Sequence, residues 1–314
     1  MSDAKLFRFN GQSARALPSH TAKLEKELQA LIEGQMDVFL GVRFLATEYS
    51  TGKTHKGRID SLGLDENGCP VIIEYKRHSN ENVINQGLFY LDWLLDHQAE
   101  FRWLVMEQLG KDTAEAIEWS GTRLICIASD FNKYDEHAVQ QINRNIELVR
   151  YRYFGEDLLL LDLVNAQTAS GQEAITTVTS KAAKAIPAAK SDWTHKAALQ
   201  DAPEHLKALY DELCDYADSL GDVVQRKELK LYTAFKRIRN FACICLTARK
   251  DPQIKIWLNL CPGDLDLKLE LEAGFARDVT NTGHWGTGDL ELTVRTASDL
   301  EKAKPLIEQS YQQG

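Results

Sequence analysis

The chain is 314 residues long with 44% apolar and 26% charged side chains, long enough for two domains at roughly 100–200 residues each and apolar enough to build real cores. A single small module is excluded, as is a disordered or fibrous protein. Lys and Arg number 37 against 46 Asp and Glu, a net charge of −9 with both halves mildly acidic, which argues against a dedicated high-affinity DNA binder but leaves room for an enzyme whose acidic site recruits a metal and whose basic residues are local.

The longest apolar runs, such as Leu158 to Leu161, fall far short of the roughly 18 uninterrupted residues of a membrane span. The first ten residues carry no apolar core and no small-residue cleavage site, so a cytoplasmic location is expected. The cysteines Cys69, Cys126, Cys214, Cys243, Cys245 and Cys261 include no Cys-x-x-Cys pair, and the expectation is reduced thiols acting as small hydrophobes, without zinc or disulfides.

In chain order, Ser19 precedes apolar positions Leu24, Leu28, Leu31 and Ile32 at helical spacing, with Gly34 placed to stop the element; a first helix is predicted over 19–33. Three strand-like runs follow at 42–48, 57–64 and 70–76, the last two joined through Asp65-Glu-Asn-Gly68, and Asn-Gly between β-rich runs marks a hairpin. Val83, Ile84, Leu88, Leu91, Leu94 and Leu95 restore helical period over 81–97, with a further helix at 99–109. A strand at 122–128, a helix near 137–145 and strands at 146–151 and 157–164 complete the first domain, expected to span 1–165. Residues 166–199 turn to Thr, Ser, Ala and Lys and read as a linker. Beyond them, helices near 206–220 and 298–311 enclose strand-like runs at 241–246 and 255–260, a small α+β domain over 200–314. The expected fold class is α/β, a mixed central sheet flanked by helices with an αβββαβ core, plus this smaller second domain.

Chemistry concentrates on the hairpin. Residues i and i+2 of a strand share a face, so Glu74 and Lys76 project together, with Ile72, while Tyr75 projects to the other side; Asp60 sits on the strand the turn pairs with theirs. Charged residues interrupting an apolar strand must be neutralised, paired or metal-bound. Two carboxylates at close range suit Mg²⁺, and a lysine beside them can position an attacking water and stabilise developing charge, a set directed at phosphodiester hydrolysis. The opposing reading is that Glu74 and Lys76 lie on a solvated face and Asp60 caps a turn.

Gly57-Arg-Ile-Asp60, Val71-Ile-Ile-Glu-Tyr-Lys76 and Gln86-x-x-x-Tyr90 together resemble the PD-(D/E)XK nuclease superfamily, in its NucS-like and RecB-like branch, over residues 19–165. The proline of the first motif is absent, Ile59 standing before Asp60, a variant common in that branch. The resemblance implies a restriction-endonuclease-like fold and a metal-dependent DNA endonuclease of repair or of defence against foreign DNA. It implies that Asp60, Glu74, Lys76 and Gln86 are catalytic, that Glu25, Asp60 and Glu74 bind Mg²⁺, with Mn²⁺ able to substitute, and that Tyr90 serves beside the DNA backbone. Glu27 lies about 200° round the helix from Glu25, so both cannot serve, and either can be an ordinary solvated charge. Gln86 and Tyr90 are i, i+4 neighbours, reaching one site or forming a polar stripe. Arg58 shares the face of Asp60 and can meet a phosphate or form a surface ion pair; Arg77 and His78 are similarly placed.

In the second domain, residues 230–241 and the turn Gly283-His-Trp-Gly-Thr-Gly288 resemble an uncharacterised domain that recurs C-terminal to such nucleases and in some restriction proteins, with a recognition or docking role as the expectation. Lys230, Lys236, Arg237 and Arg239 with Tyr232, Phe235 and Phe241 form a basic and aromatic cluster. It either grips phosphates and stacks on bases, with Lys236 and Arg239 as DNA contacts, or is core aromatics with snorkelling cations. His284 and Trp285 shape a ligand pocket or a structured loop. The expected partner is DNA and no membrane; a homodimer would let an endonuclease cut both strands. The alternative is a non-catalytic nucleic-acid- or partner-binding protein that keeps the nuclease fold.

Overall fold

A computed structural model describes residues 4–77, 82–169, 194–248, 250–263, 271–282 and 286–313. The chain divides into two compact units, Met1–Ser170 and Gly171–Gly314.

The first unit opens with an element that short-range periodicity did not reveal, a two-stranded ribbon of β1 (Leu6–Phe9) and β2 (Ala14–Leu17). The expected helix at 19–33 starts later. Ser19 and His20 form β3 (Ser19–His20), paired with a later strand, and α1 (Glu25–Gly34) begins only after Leu24, whose amide donates to Glu27 Oε2 at 3.4 Å. α2 (Met36–Leu40) turns the chain through Gly41, at φ 63°, into β4 (Val42–Ser50), the short α3 (Gly52–His55), β5 (Arg58–Asp65) and β6 (Pro70–Lys76). The Asn-Gly hairpin forms as expected: Gly68 sits at φ 75°, and Asp65 Oδ1 accepts from the amides of Asn67 and Cys69, each at 2.9 Å. α4 (Val83–Asp96), α5 (Gln98–Leu109), α6 (Lys111–Glu115) and a 3₁₀ turn over Trp119–Gly121 lead to β7 (Arg123–Ala128).

The helix expected at 137–145 is α7 (Lys133–Gln140). Asn132 sets its start by accepting from the amides of Tyr134 and Asp135, an N-cap, and Asn145 already belongs to β8 (Asn145–Phe154), which pairs with β9 (Leu158–Gln167).

The resulting sheet runs β3-β8-β7-β6-β5-β4, with β9 on β8. β4, β5 and β6 are antiparallel, whereas β6, β7 and β8 are parallel, the mixed sheet the element order implies. α4, α5 and α7 bury Leu91, Leu94, Phe101, Val105 and Val139 against Leu62, Ile72, Leu124 and Leu148, while α1 lies on the Ser61 and Tyr75 side through Gln29 and Glu33. At the hairpin end of the sheet, Arg123 joins Asp65 (3.2 Å) and Glu147 (2.6 Å), all three almost fully buried, so the charges satisfy one another across β5, β7 and β8.

The second unit comprises α8 (His195–Asp201), α9 (Glu204–Ser219), β10 (Gln225–Glu228), β11 (Thr233–Lys236), β12 (Asn240–Thr247), β13 (Gln253–Leu258), β14 (Ala276–Asp278), β15 (Leu290–Val294) and α10 (Ala297–Gln313). Among its described residues, six strands form an antiparallel sheet ordered β10-β11-β12-β13-β15-β14. The helices bury Leu206, Leu213, Leu300 and Ile307 on one face, and Tyr232, Cys243, Cys245 and Trp257 cluster separately. Within the stretch read as linker, β9 continues to Gln167 and α8 starts at His195; residues 170–193, like His78, Gly283, His284 and Trp285, lie outside the described residues. No helix among the described residues is long and apolar enough to cross a membrane.

Candidate active site

The ladder between β5 and β6 stops at Ser61 and Ile73. One residue further on, where Asp60 and Glu74 would face each other, the backbones are bridged by side chains: the Asp60 amide donates to Glu74 Oε1 at 3.2 Å and the Tyr75 amide donates to Asp60 Oδ2 at 3.0 Å. β5 continues toward Arg58 paired only with β4. The two strands therefore splay, and each carboxylate accepts from an amide that the splay removes from the ladder, which meets the requirement that buried backbone donors find acceptors.

Burial shapes the charge of this pair. Glu74 is fully buried, and its Oε2 has no hydrogen-bond partner. Desolvation first, and the neighbouring Asp60 second, push its carboxyl up to about 9; desolvation likewise raises Asp60, against the opposing pull of the Tyr75 amide and Lys76. Lys76 therefore offsets only part of the cost of burying two acids side by side.

Lys76 leaves the end of β6 on the same side and reaches Glu25, its Nζ lying 3.1 Å from Oε1. The other oxygen, Oε2, accepts from the Arg77 amide at 3.1 Å. Glu25 is the first residue of α1, so the helix start is tied to the strand end by one carboxylate. Glu27 instead caps α1, which separates the roles of the two acids. Among the described residues, no three His, Cys, Asp or Glu side chains stand together at ion-holding distances; here the third carboxylate is engaged by Lys76 and the Arg77 amide.

Tyr90 packs against Gly57, where an added Cβ would lie 2.4 Å from Tyr90 Cε1. Its hydroxyl accepts from the Arg58 amide at 3.3 Å and from Gln86 Nε2 at 3.4 Å. Gln86 and Tyr90 thus brace the strand two residues before Asp60, and no polar contact joins Gln86 to either carboxylate. The Arg58 guanidinium pairs with Glu48 at 3.3 Å with both side chains exposed, the surface ion pair of the two readings. Arg77 contributes its backbone; its side chain is exposed.

Sequence reasoning missed the layer beneath. Gln29 Nε2 donates to the Asp60 carbonyl at 2.8 Å and to Glu33 Oε1 at 3.0 Å, and Ser61 donates to Glu33 at 2.6 Å while its oxygen lies 3.1 Å from the Tyr75 hydroxyl. The signal was present: Glu25, Gln29 and Glu33 repeat at i, i+4 and i+8 on one face of α1. Tyr151 was missed too; its hydroxyl accepts from the Ala22 amide and donates to the Arg77 carbonyl.

In the second unit Phe235 and Phe241 belong to the main core and Tyr232 to the smaller cluster, so these rings offer no stacking platform. Lys236 is only 3% exposed, which corrects its reading as a DNA contact. Arg239 is half-buried and Lys230 is exposed, while the Arg237 guanidinium lies 5.1 Å over the Tyr311 ring, as snorkelling cations do.

A protein of Haemophilus influenzae, described as an uncharacterized protein, is 30% identical over 313 residues, covering 98% of this chain and 99% of its own length. The chain belongs to the family of that protein. Residues 195–314 match a domain of unknown function, DUF5655. Among solved structures, the chain is similar to a repair endonuclease from Pyrococcus abyssi at 20% identity and a TM-score of 0.28, covering 42% of this chain and 48% of that one. It is also similar to EndoMS in a complex with double-stranded DNA, at 21% identity and a TM-score of 0.25, covering 42% and 47%. The chain spans about half the length of these structures.

Proposed function

We propose that this protein is a metal-dependent DNA endonuclease whose site is built from Asp60, Glu74, Lys76 and Glu25. The observation that carries this reading is the convergence of two desolvated carboxylates at the splay of β5 and β6 with a lysine two residues along the same strand face. A purely structural role does not account for Glu74 Oε2, buried without a partner, because an acid left in that state costs stability.

A divalent cation fits the residues present. Mg²⁺ is held by hard oxygen atoms and commonly takes one or two carboxylates; Glu74 Oε2 and Asp60 would supply them, with Glu25 as the third acid. Bound there, Mg²⁺ or Mn²⁺ supplies Lewis-acid stabilisation of charge building on the phosphoryl group. The protein's own groups do the positioning. The Tyr75 and Asp60 amides fix both carboxylates, and Glu25 fixes the Lys76 ammonium. Lys76 then orients the attacking water and offsets charge as the water oxygen bonds to phosphorus, the bond from phosphorus to the leaving sugar oxygen breaks, the water gives up its proton to solvent and the departing oxygen takes one back. Tyr90 and Gln86 keep the β5 end in place.

The test is a cleavage panel of plasmid, linear, single-stranded and branched DNA with Mg²⁺ or Mn²⁺, comparing wild type with Asp60→Asn and Lys76→Ala. Metal-dependent cutting lost in both folded variants is the expected result. Wild type that binds DNA or a partner yet cuts nothing overturns the assignment in favour of a binding protein on a nuclease fold.

A further inference from the structure

The ribbon of β1 and β2 is a separate two-stranded sheet, and all its residues are exposed except the half-buried Leu17. Such a hairpin is at best marginally stable in water by itself. Its register places Arg8 directly opposite Arg15 on one face, a like-charge pair that destabilises an isolated ribbon. The other face carries Phe7 and Phe9, 57% and 78% exposed, opposite Ala16 and Ala14. Neither arginine makes an ion pair within the described residues. Between Asp3 and Glu25 the sequence holds Lys5, Arg8, Arg15 and Lys23 and no acidic residue, in a chain of net charge −9.

The ribbon is rooted at the candidate site. β3 follows directly, where His20 stacks on Tyr153 at 5.5 Å and its Nε2 lies 2.9 Å from the Gly155 carbonyl oxygen. Two residues on, the Ala22 amide meets the Tyr151 hydroxyl that also holds the Arg77 carbonyl, and Glu25 then reaches Lys76.

We infer that the N-terminal ribbon is an arm that grips the DNA backbone beside the scissile position, Arg8 and Arg15 on phosphates and the Phe7 and Phe9 face against sugars or unstacked bases. The inference rests on the nuclease reading above. Two opposed arginines want a shared polyanion, and phosphates along a strand supply one; exposed aromatic rings with neighbouring cations form the usual grip on nucleic acid. A four-residue strand is about 13 Å long, the length of about four nucleotides along one strand of a duplex.

The experiment uses the full chain in EDTA with fluorescein-labelled single- and double-stranded oligonucleotides, and measures affinity by anisotropy across a salt series. Arg8→Glu with Arg15→Glu is expected to weaken binding by about ten-fold or more and to lower the slope of log affinity against log salt by about 1.8 on the duplex and about 1.4 on the single strand, two phosphate contacts' worth, at unchanged melting temperature. Phe7→Ser with Phe9→Ser is expected to weaken binding without changing the slope. Wild-type binding with an unaltered affinity and slope in the arginine variant overturns the arm and leaves the nuclease reading standing; metal-dependent cutting by wild type reports separately on that reading. Normal DNA binding by both variants, with the phenylalanine variant converting a dimer to a monomer, overturns the arm in favour of a contact between copies.

Discussion

The ammonium of Lys76 stands 3.1 Å from Oε1 of Glu25, while the other oxygen of that carboxylate takes the amide of the next residue, Arg77. One acid thereby fixes both the side chain of the lysine at the end of β6 and the main chain just beyond it. Lys76→Ala should lower DNA cleavage by about 10²–10³ with the melting temperature retained. Glu25→Gln keeps an acceptor for the Arg77 amide but loses the charge facing Lys76, and a smaller loss of rate is expected. Single-turnover cleavage of the preferred DNA, beside a thermal melt of each variant, checks both.

Glu74 is fully buried and held near 9 chiefly by desolvation. Its pKa in the fold lies above that of the unfolded chain, so the fold binds the extra proton. Its contribution is fully present below the unfolded value near 4.3 and is lost as pH rises toward 9. In EDTA, Glu74→Gln should therefore melt higher than wild type at pH 8, with the gap closing at pH 5. A divalent cation reverses the sign: Mg²⁺ in hundred-fold excess over its dissociation constant adds about 2.7 kcal/mol to a protein that binds it only when folded. That gain should appear in wild type and vanish in Glu74→Gln.

Gly57 sits under Tyr90 with no room for a methyl group. Gly57→Ala should displace the phenol, breaking its contact with the Arg58 amide, at about 1–3 kcal/mol of stability. Tyr90→Phe, which removes only the hydroxyl, should cost less. Chemical denaturation of the two variants ranks them; an equal or reversed order contradicts the packing argument.

Arg123 is buried between Asp65 and Glu147. Arg123→Ala strands two carboxylates in the interior and should cost about 3–5 kcal/mol. Replacing Arg123 and Glu147 together by apolar residues of similar size, with Asp65 kept as acceptor for the Asn67 and Cys69 amides, should recover part of that loss, which urea titration measures.

His195 is 2% exposed, its Nε2 has no partner, and desolvation, reinforced by Arg226, lowers its pKa to about 4. The fold binds the neutral ring, so its contribution is complete above about 6.5 and is lost as pH falls toward 4. Replacing His195 with Phe should flatten the acid side of the stability profile of the second unit, followed by the near-ultraviolet signal on acid titration.

Much of the site was legible because a tight turn transmits register. Asp65-Glu-Asn-Gly68 fixes which residues of β5 and β6 face each other, and period-2 alternation then carries Asp60 and Glu74 together with Lys76 on one side. The splay was not legible, since it depends on β5 leaving β6 for β4 alone, a tertiary choice. The helix period says only that Glu25 and Glu27 point apart; that Glu25 is the one at the end of β6 depends on the Arg77 amide, fifty-two positions away. The start of α7 was missed because Asn132, a capping residue, outweighed apolar spacing. In the second unit the sequence left Tyr232, Phe235 and Phe241 between a stacking surface and a core, and the core reading holds; Lys236, read as a DNA contact, lies on β11, which is buried throughout, and a four-residue strand is too short for alternation to speak.

The crossed contacts between amides and acids at the splay make Asp60 and Glu74 part of the framework as well as part of the chemistry proposed for them. Drift of either to alanine removes an acceptor from a main-chain amide; drift to asparagine or glutamine loses charge and keeps the acceptor. If the proposed reaction is the right one, a relative that has abandoned it is accordingly expected to carry amide side chains at these two places, a scar by which a lapsed enzyme can be told from one that still cuts.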